Sequence, residues 1–458
     1  MGDPESQATA GGASHSGGVA GSAAGTAMWE LVAALYPICR SITGNGVRET
    51  LRLVQQLIPL EIHEVATGTP VLDWTVPREW NIRDAYIATA DGRRVVDFRA
   101  SSLHVMSYSV PVRQRMPLAE LEPHLFSMPD HPDWIPYRTS YYKETWGFCL
   151  ADRVRRELGG GVAYDVCIDS TLADGALTYG EYFLPGSSDD QVLFSCHCCH
   201  PSLANDNLSG IAVATYLARA LAGRSLRYSY RFLYVPGTIG PITWLARNEQ
   251  AAACIKHGLV LACAGDPGPS TYKRSRRGNA EIDRAVEHVL RHSGAPYSVV
   301  DFTPYGYDER QYCSPGFNLP VGNLTRTPHG LFPEYHTSAD NLDLVRPEFL
   351  QDTLSKLLAI VDVLERNGTY VNTSPKGEPQ LGRRGLYRAF GGVTDATEME
   401  QALLWVLNQS DGGHTLLDVA ERADMQFSAI ARAADALLAV DLLRPGAGTG
   451  SSPDAFRQ

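Results

Sequence analysis

Apolar residues in "MWELVAALYPICRS" (28–41) recur at intervals of three and four, which predicts an amphipathic first helix. A second, "ETLRLVQQLI" (49–58), follows the turn "TGNG". From about 60 the rhythm changes. "AYIATA" (85–90), "RVVDF" (94–98) and "VAYDVCIDS" (162–170) alternate apolar and polar positions and are broken by Pro, Asp and Gly. This predicts a β-rich subdomain over 61–184, inserted into the rest of the chain. After 190 the pattern alternates between strand and helix. "QVLFSCH", "YSYRFLYVPG", "HGLVLACAGD" and "PYSVVDF" read as strands. "LSGIAVATYLARALAG", "GPITWLARNEQAA", "AEIDRAVEHVLRHS" and "PEFLQDTLSKLLAIVDVLER" read as helices. Such alternation predicts an α/β core over 27–60 and 185–380, a mainly parallel sheet flanked by helices. Function then gathers at the carboxyl ends of the strands. Beyond about 390, "TEMEQALLWVLNQ", "TLLDVAERA" and "SAIARAADALLAV" are three short amphipathic helices, and a winged helix over 388–448 is expected.

Composition narrows the class. The chain has 458 residues, 44% apolar and 20% charged, which suits a soluble protein of two or three domains. The net charge of −11 and the lack of a long basic run argue against nucleic acid as a partner. The run "YKRSRR" (272–277) is a local exception and reads as a solvated loop. The would-be recognition helix carries one arginine, Arg432, and one aspartate, Asp435, so the winged helix reads as a packing or protein-contact module. A homo-oligomer is compatible with it. No run of eighteen apolar residues exists, so no membrane span is expected. Residues 1–26 are rich in Gly, Ala and Ser without a basic start or a continuous apolar stretch, and read as a disordered tail rather than a signal peptide. Nine cysteines, mostly inside apolar segments, suit a reducing cytoplasm.

The chemistry concentrates in "SCHCCHPSLANDNLSG" (195–210). A zinc finger needs a second pair of ligands at short spacing, and none follows. Cys196 and Cys199 have the Cys-x-x-Cys spacing of a redox pair but close a strand of the core. The third reading is one wall of a metal-dependent hydrolase site. His200 and Asp206 follow one strand, Asp266 closes another, and His336 sits in a loop before the last long helix. A divalent metal needs such a convergence of imidazole and carboxylate, with an open position for water. Taken singly, each residue also has an ordinary explanation, as an exposed histidine or a capping aspartate.

Longer stretches carry a resemblance. "CHPSLANDNLSG", "AGD" and "EYHTSADN" are similar to the metal-site segments of M28-type zinc aminopeptidases. "ALYPICRSITGNGVRETL", "DWTVPREWNIRDAYI", "IPYRTSYYKETWGFCL", "DERQYCSPGFNLPVGNLTRTPHG" and "PEYHTSADNLD" resemble the aminopeptidase-like DUF4910/DUF2172 group, whose members carry labels from polysaccharide biosynthesis. The resemblance implies an M28-like core with an inserted β domain and a C-terminal winged helix. It implies His200, Asp206, Asp266 and His336 as ligands of one or two zinc ions, with Asp206 bridging if two bind and His197 as a second choice. It also implies a cis bond between Asp206 and Asn207.

One position departs from the family. In "YVPGTIG", Gly237 stands where relatives have a glutamate that moves protons or holds a second metal. Three routes stay open: a base from Glu334, Asp308 or Glu309; another reaction on one metal, such as acyl or amide transfer; or a non-catalytic metal- or ligand-binding protein. Arg310, Arg326 and Tyr307 are candidates for holding a peptide-like or other small-molecule substrate, with ordinary ion pairs as the alternative for the arginines. Trp74, Trp80, Tyr141, Tyr142 and Trp146 are expected mainly to pack the insert, with one or two flooring a pocket. The activity implied is hydrolysis of an amide or peptide bond. A transcription regulator acting through the winged helix is the remaining rival.

Overall fold

Alternate residues of two adjacent strands, Gln191–His197 and Ser229–Val235, enter opposite hydrophobic cores. Val192, Phe194, Cys196, Tyr230, Phe232 and Tyr234 pack under helices on one face. Leu193, Leu233 and Val235 meet the β-rich layer on the other. Every residue of both strands is buried, which is why their sequence reads as a continuous apolar run.

The structure, a computed structural model, describes residues 23–386 and 393–446. Its central sheet has eight strands: β1 (Glu61–Ala66), β2 (Ala176–Leu184), β3 (Gln191–His197), β4 (Ser229–Val235), β5 (Ile255–Leu261), β6 (Ser270–Lys273), β7 (Tyr297–Val300) and β8 (Val321–Thr325). Their order is β1-β2-β4-β3-β5-β8-β6-β7. The middle four, β4-β3-β5-β8, are parallel, while antiparallel pairs join β1 to β2, β2 to β4 and β6 to β8. The main helices are α1 (Ala23–Leu35), α2 (Asn45–Gln55), α3 (Gly210–Leu221), α4 (Ile239–Arg247), α5 (Glu281–Arg291) and α6 (Pro347–Arg366). Among the described residues, no helix is long and apolar enough to cross a membrane.

Several boundaries differ from the pattern. Helix α1 occupies 23–35 rather than 28–41, because Pro37 cannot continue a helix. Residues 23–26, assigned to the tail, form its first turn, and the remainder of that tail lies outside the described residues. Strands β1 and β2 belong to the central sheet, so the separate layer spans about 67–175 rather than 61–184. Alternation shows that a segment is a strand, not which sheet it joins. The layer itself is a four-stranded antiparallel sheet of residues 79–88, 94–97, 112–117 and 163–173.

At the C-terminal end, Thr369–Asn372 pairs with Asp411–Thr415 and with Leu443–Pro445, so this unit starts well before residue 388. Its helices are Val393–Gln409, Leu416–Ala423 and Phe427–Leu438. The unit is fastened to the core. Arg284 of α5 pairs with Asp418 and Glu421, Arg366 of α6 pairs with Asp435, and the Phe427 N–H donates to His288 Nε2 at 3.1 Å. Of the run 272–277, only Arg276 and Arg277 lie in an exposed turn. Tyr272 is buried in β6, Lys273 pairs with Glu309, Arg274 with Glu287, and Arg276 and Arg277 hydrogen-bond Asn318.

Candidate metal centre

Strand β3 ends at His197, and the chain turns through His200 into a tight coil at Ala204–Ser209 that leads into α3. This path brings donor atoms of His197, His200 and Asp206 within 4.8 Å of one another. Asp206 is fully buried. Its Oδ1 accepts from His197 Nε2 at 2.8 Å. Its Oδ2 faces His336 Nε2 at 3.0 Å and His200 Nδ1 at 3.6 Å. Asp206 Oδ2, His200 Nδ1 and His336 Nε2 are all buried without a hydrogen-bond partner among the described residues.

An unpartnered buried polar atom costs about 1–3 kcal/mol, and native proteins seldom keep one. Here the three atoms face one another, His336 Nε2 within ion-pair distance of Asp206 Oδ2 and His200 Nδ1 beside them without a hydrogen bond among the described residues. Two imidazole nitrogens and one carboxylate oxygen are a donor set that zinc takes in catalytic sites, where a fourth position stays open. The residues present therefore fit the metal.

The "NDNLS" motif (205–209) is a connector as well as a source of Asp206. Asn205, Asn207 and Ser209 all turn to the segment after β5. Asn207 Nδ2 donates to the Leu261 carbonyl at 2.9 Å, while its Oδ1 accepts from Cys263 N at 3.2 Å. Ser209 Oγ accepts from Ala264 N at 2.8 Å, and Asn205 Oδ1 from Gly265 N at 3.0 Å. The Asp206–Asn207 bond is cis, as the resemblance implies. Asp340 accepts the backbone N–H groups of Asn205 at 2.6 Å and Asp206 at 2.9 Å, fixing the coil from the His336 loop. Burial is the main cause that lifts the Asp340 carboxyl to about 8, with the charge of Asp206 adding to it. Ser202, Thr238, Cys263 and His336 adopt positive φ values of 45°, 65°, 45° and 57°, so strained backbone gathers around this cluster.

Burial drives the His200 pKa down to about 3 against the pull of Asp206, leaving a neutral imidazole of the kind a metal binds. For His197 burial acts in the same direction, but the charge and hydrogen bond of Asp206 outweigh it and the pKa rises. Burial would raise Asp206, yet the surrounding histidines hold it well below the usual carboxylate range.

The other expected residues divide. Asp266 is not placed as a fourth ligand. Its Oδ1 accepts from Gly268 N and Thr327 Oγ1, and its Oδ2 from Asn205 Nδ2 and Thr327 N, so it holds two loops together. Arg326 takes the ion-pair alternative, on Asp352, and lies over the Phe349 ring. Glu309 is fully buried and paired with Lys273. Glu334 is half-buried, with its backbone carbonyl accepting from Thr337. Asp308 is buried, takes the Thr238 N–H on Oδ1 at 2.7 Å, and leaves Oδ2 without a partner among the described residues. Burial lifts it to about 6, with His197 acting against the rise. Arg310 Nη2 donates to Thr238 Oγ1 at 3.5 Å. Tyr307 stacks on His197 with centroids 5.7 Å apart and points its hydroxyl at Cys263 Sγ, 3.0 Å away.

Sequence reasoning missed Tyr137, Asp340 and Arg40. Tyr137 stands edge-on to both His200 and His336, at 5.2 and 5.1 Å. Arg40 donates to the His200 carbonyl at 3.0 Å. Its one signal was a charged residue inside an apolar stretch. Of the aromatic residues, Trp80 is buried and Tyr141 bonds the Tyr137 hydroxyl, while Trp74 and Tyr142 pack on each other and remain exposed. All nine cysteines are free, and burial pushes the Cys199 thiol up to about 12, the opposite of a redox-active thiolate.

The helix-flanked sheet, with a histidine–aspartate cluster past its strand ends, has the fold seen in M28-type aminopeptidases. The zinc aminopeptidase BSAP from Bacillus subtilis has a TM-score of 0.55 at 13% identity, covering 74% of this chain and 94% of that one. Residues 29–367 match the family described as "Domain of unknown function (DUF4910)", and residues 368–445 match a winged helix-turn-helix. The chain belongs to the DUF4910 family. A Clostridium acetobutylicum protein, provisionally named for polysaccharide biosynthesis with an aminopeptidase-like domain, is 53% identical over 420 residues, 92% of this chain and 96% of its own. A crystal structure from C. acetobutylicum, provisionally described as a peptidase, has a TM-score of 0.88 at 52% identity and covers 92% of this chain and 96% of that one.

Proposed function

We propose that this chain is a zinc-dependent hydrolase of an amide or peptide bond in a small molecule, with His200, Asp206 and His336 as the ligands. One observation carries the reading: the buried Oδ2 of Asp206 faces two imidazole nitrogens, His336 Nε2 at 3.0 Å and His200 Nδ1 at 3.6 Å, brought together from two separate loops. When bound, zinc supplies Lewis acidity toward a carbonyl and toward water. The chain supplies the rest. Asp206 Oδ1 holds His197, and Asp340 holds the coil that carries Asp206. Asp308 moves the proton. Its fixed Oδ1, free Oδ2 and pKa of about 6 suit an acid–base group, whereas Glu309 is committed to Lys273.

The name of the 53%-identical relative favours a tailoring role, such as deacylation of a sugar amide or acyl transfer with an amine in place of water. Nine free cysteines support a reducing, cytoplasmic setting.

Elemental mass spectrometry of protein purified without added zinc tests the metal. About one equivalent per chain, lost in His200→Ala, is the expected result. A chain that holds no zinc and regains none on incubation would rule out this mechanism. Zinc without turnover on a panel of aminoacyl arylamides and N-acetylated amino sugars would instead favour a metal-binding protein without catalysis.

A further inference from the structure

We infer that Arg40 is a positioning residue for the metal centre, holding the backbone of His200 so that its imidazole meets the ion in one orientation. The inference rests on the zinc reading above. Arg40 is 1% exposed. Its Nη1 donates to the His200 carbonyl at 3.0 Å, its Nε to Thr50 Oγ1 at 2.9 Å, and its Nη2 to the Leu35 carbonyl. It forms no ion pair with a carboxylate among the described residues, so the buried cation is met by neutral acceptors alone. Burying an unpaired charge is costly.

Two of the three contacts have local reasons. Leu35 ends α1, where the last carbonyls lack helical partners, and Thr50 lies on α2. Tying those helices together does not require a cation that also reaches residue 200. The third contact serves the turn that carries His200.

That turn is gripped again two residues on. Ser202, at φ 45°, donates to the Tyr36 carbonyl at 3.1 Å and shares a hydrogen bond with Ser102 Oγ at 2.7 Å. The same N-terminal segment holds the inserted layer, through Ser41 to Ser107 and Thr43 to Tyr108, each at 2.6 Å. The layer in turn sets Tyr137 against the His200 ring. Carbonyl and ring are thus held from two sides, by elements distant in sequence. Groups behind a ligand, which orient it without touching the metal, commonly govern affinity by about 10–100-fold.

The test uses the full chain as wild type, Arg40→Met and Arg40→Lys. Zinc affinity is measured by competition with a chelator, the visible spectrum on the cobalt(II)-loaded protein, and the melting temperature without metal. Arg40→Met is expected to bind zinc about 10–100-fold more weakly and to shift the cobalt bands. Arg40→Lys, which keeps the charge but not the planar fork, falls between. Wild-type affinity and unchanged bands in both variants, with only a lower metal-free melting temperature, would reduce Arg40 to a tie between helices and overturn the inference. Should Arg40→Met fail to fold, Arg40→Lys carries the same readouts. If the wild type binds neither ion, the zinc reading itself fails and takes the inference with it.

Discussion

At position 237 an added Cβ would meet Cys199 Sγ at 3.4 Å and His197 Cβ at 3.7 Å, both ordinary contacts. The residue is half-buried and its φ is not positive, so nothing local demands glycine there. Gly237→Glu is therefore expected to fold, with a melting temperature within a few degrees of wild type. It would place a carboxylate beside His197 and raise turnover of an arylamide substrate. Asp308→Asn tests the proton carrier already present. Turnover should fall about 10²–10⁴-fold while zinc content stays unchanged. The pH profile gives the sign. A base works only when deprotonated, and burial has lifted Asp308 to about 6, so kcat/KM should fall as pH drops below about 6. Asp308→Asn should abolish that limb. Removing the carboxylate and keeping the limb would assign it to another group.

Among the elements, β3 (191–197) and α6 (347–366) match their sequence pattern to the residue, because both lie wholly within one regular environment. Strands β6 and β8 were not legible. "STYK" and "VGNLT" are short and half polar, and only their neighbours in the sheet make them strands. The helix Phe427–Leu438 shows a similar limit. Its pattern identified a helix with one arginine and one aspartate, read as a packing module, but not its neighbours: Phe427, Ala429, Ile430, Ala431, Ala433, Ala434 and Leu437 are buried and Asp435 faces Arg366 of the core. Two substitutions compare what holds these parts. Leu357 in α6 is fully buried, and Leu357→Ala should cost about 2–5 kcal/mol, from lost contacts and the cavity left behind. Arg284 pairs with two carboxylates across the junction, but each partner is about one-third exposed. Solvent screening limits Arg284→Ala to about 1 kcal/mol. Chemical denaturation of both variants checks the order; an equal loss would mean the junction is a larger part of the fold's stability than its burial indicates.

At the scale of the whole molecule, the histidine–aspartate cluster draws together parts from separate regions of the chain. His200 and Asp206 follow β3, His336 precedes α6, Tyr137 comes from the inserted layer and Arg40 from the segment after α1. A metal that binds only the folded state adds stability by mass action, about 2.7 kcal/mol at a free concentration near 100 times Kd. Stripping zinc with a chelator should accordingly lower the melting temperature, and adding zinc back should restore it. His200→Ala should melt at the same temperature with or without the metal.

By itself the sequence determined what local periodicity and residue type can encode: the alternation of strands and helices, the inserted β-rich layer, the C-terminal helical unit, and the short list of imidazoles and carboxylates past the strand ends. Tertiary structure alone decided which of them meet. Asp206 and Asp266 are both acids in loops that follow core strands, and nothing adjacent in sequence separates them. Thr327, 61 residues from Asp266, hydrogen-bonds both of its oxygens, while Asp206 turns one oxygen toward two histidine nitrogens. The physical reason is competition for hydrogen bonds. A donor atom is free for a metal only when no other group in the folded chain has taken it, and that depends on residues far away in sequence.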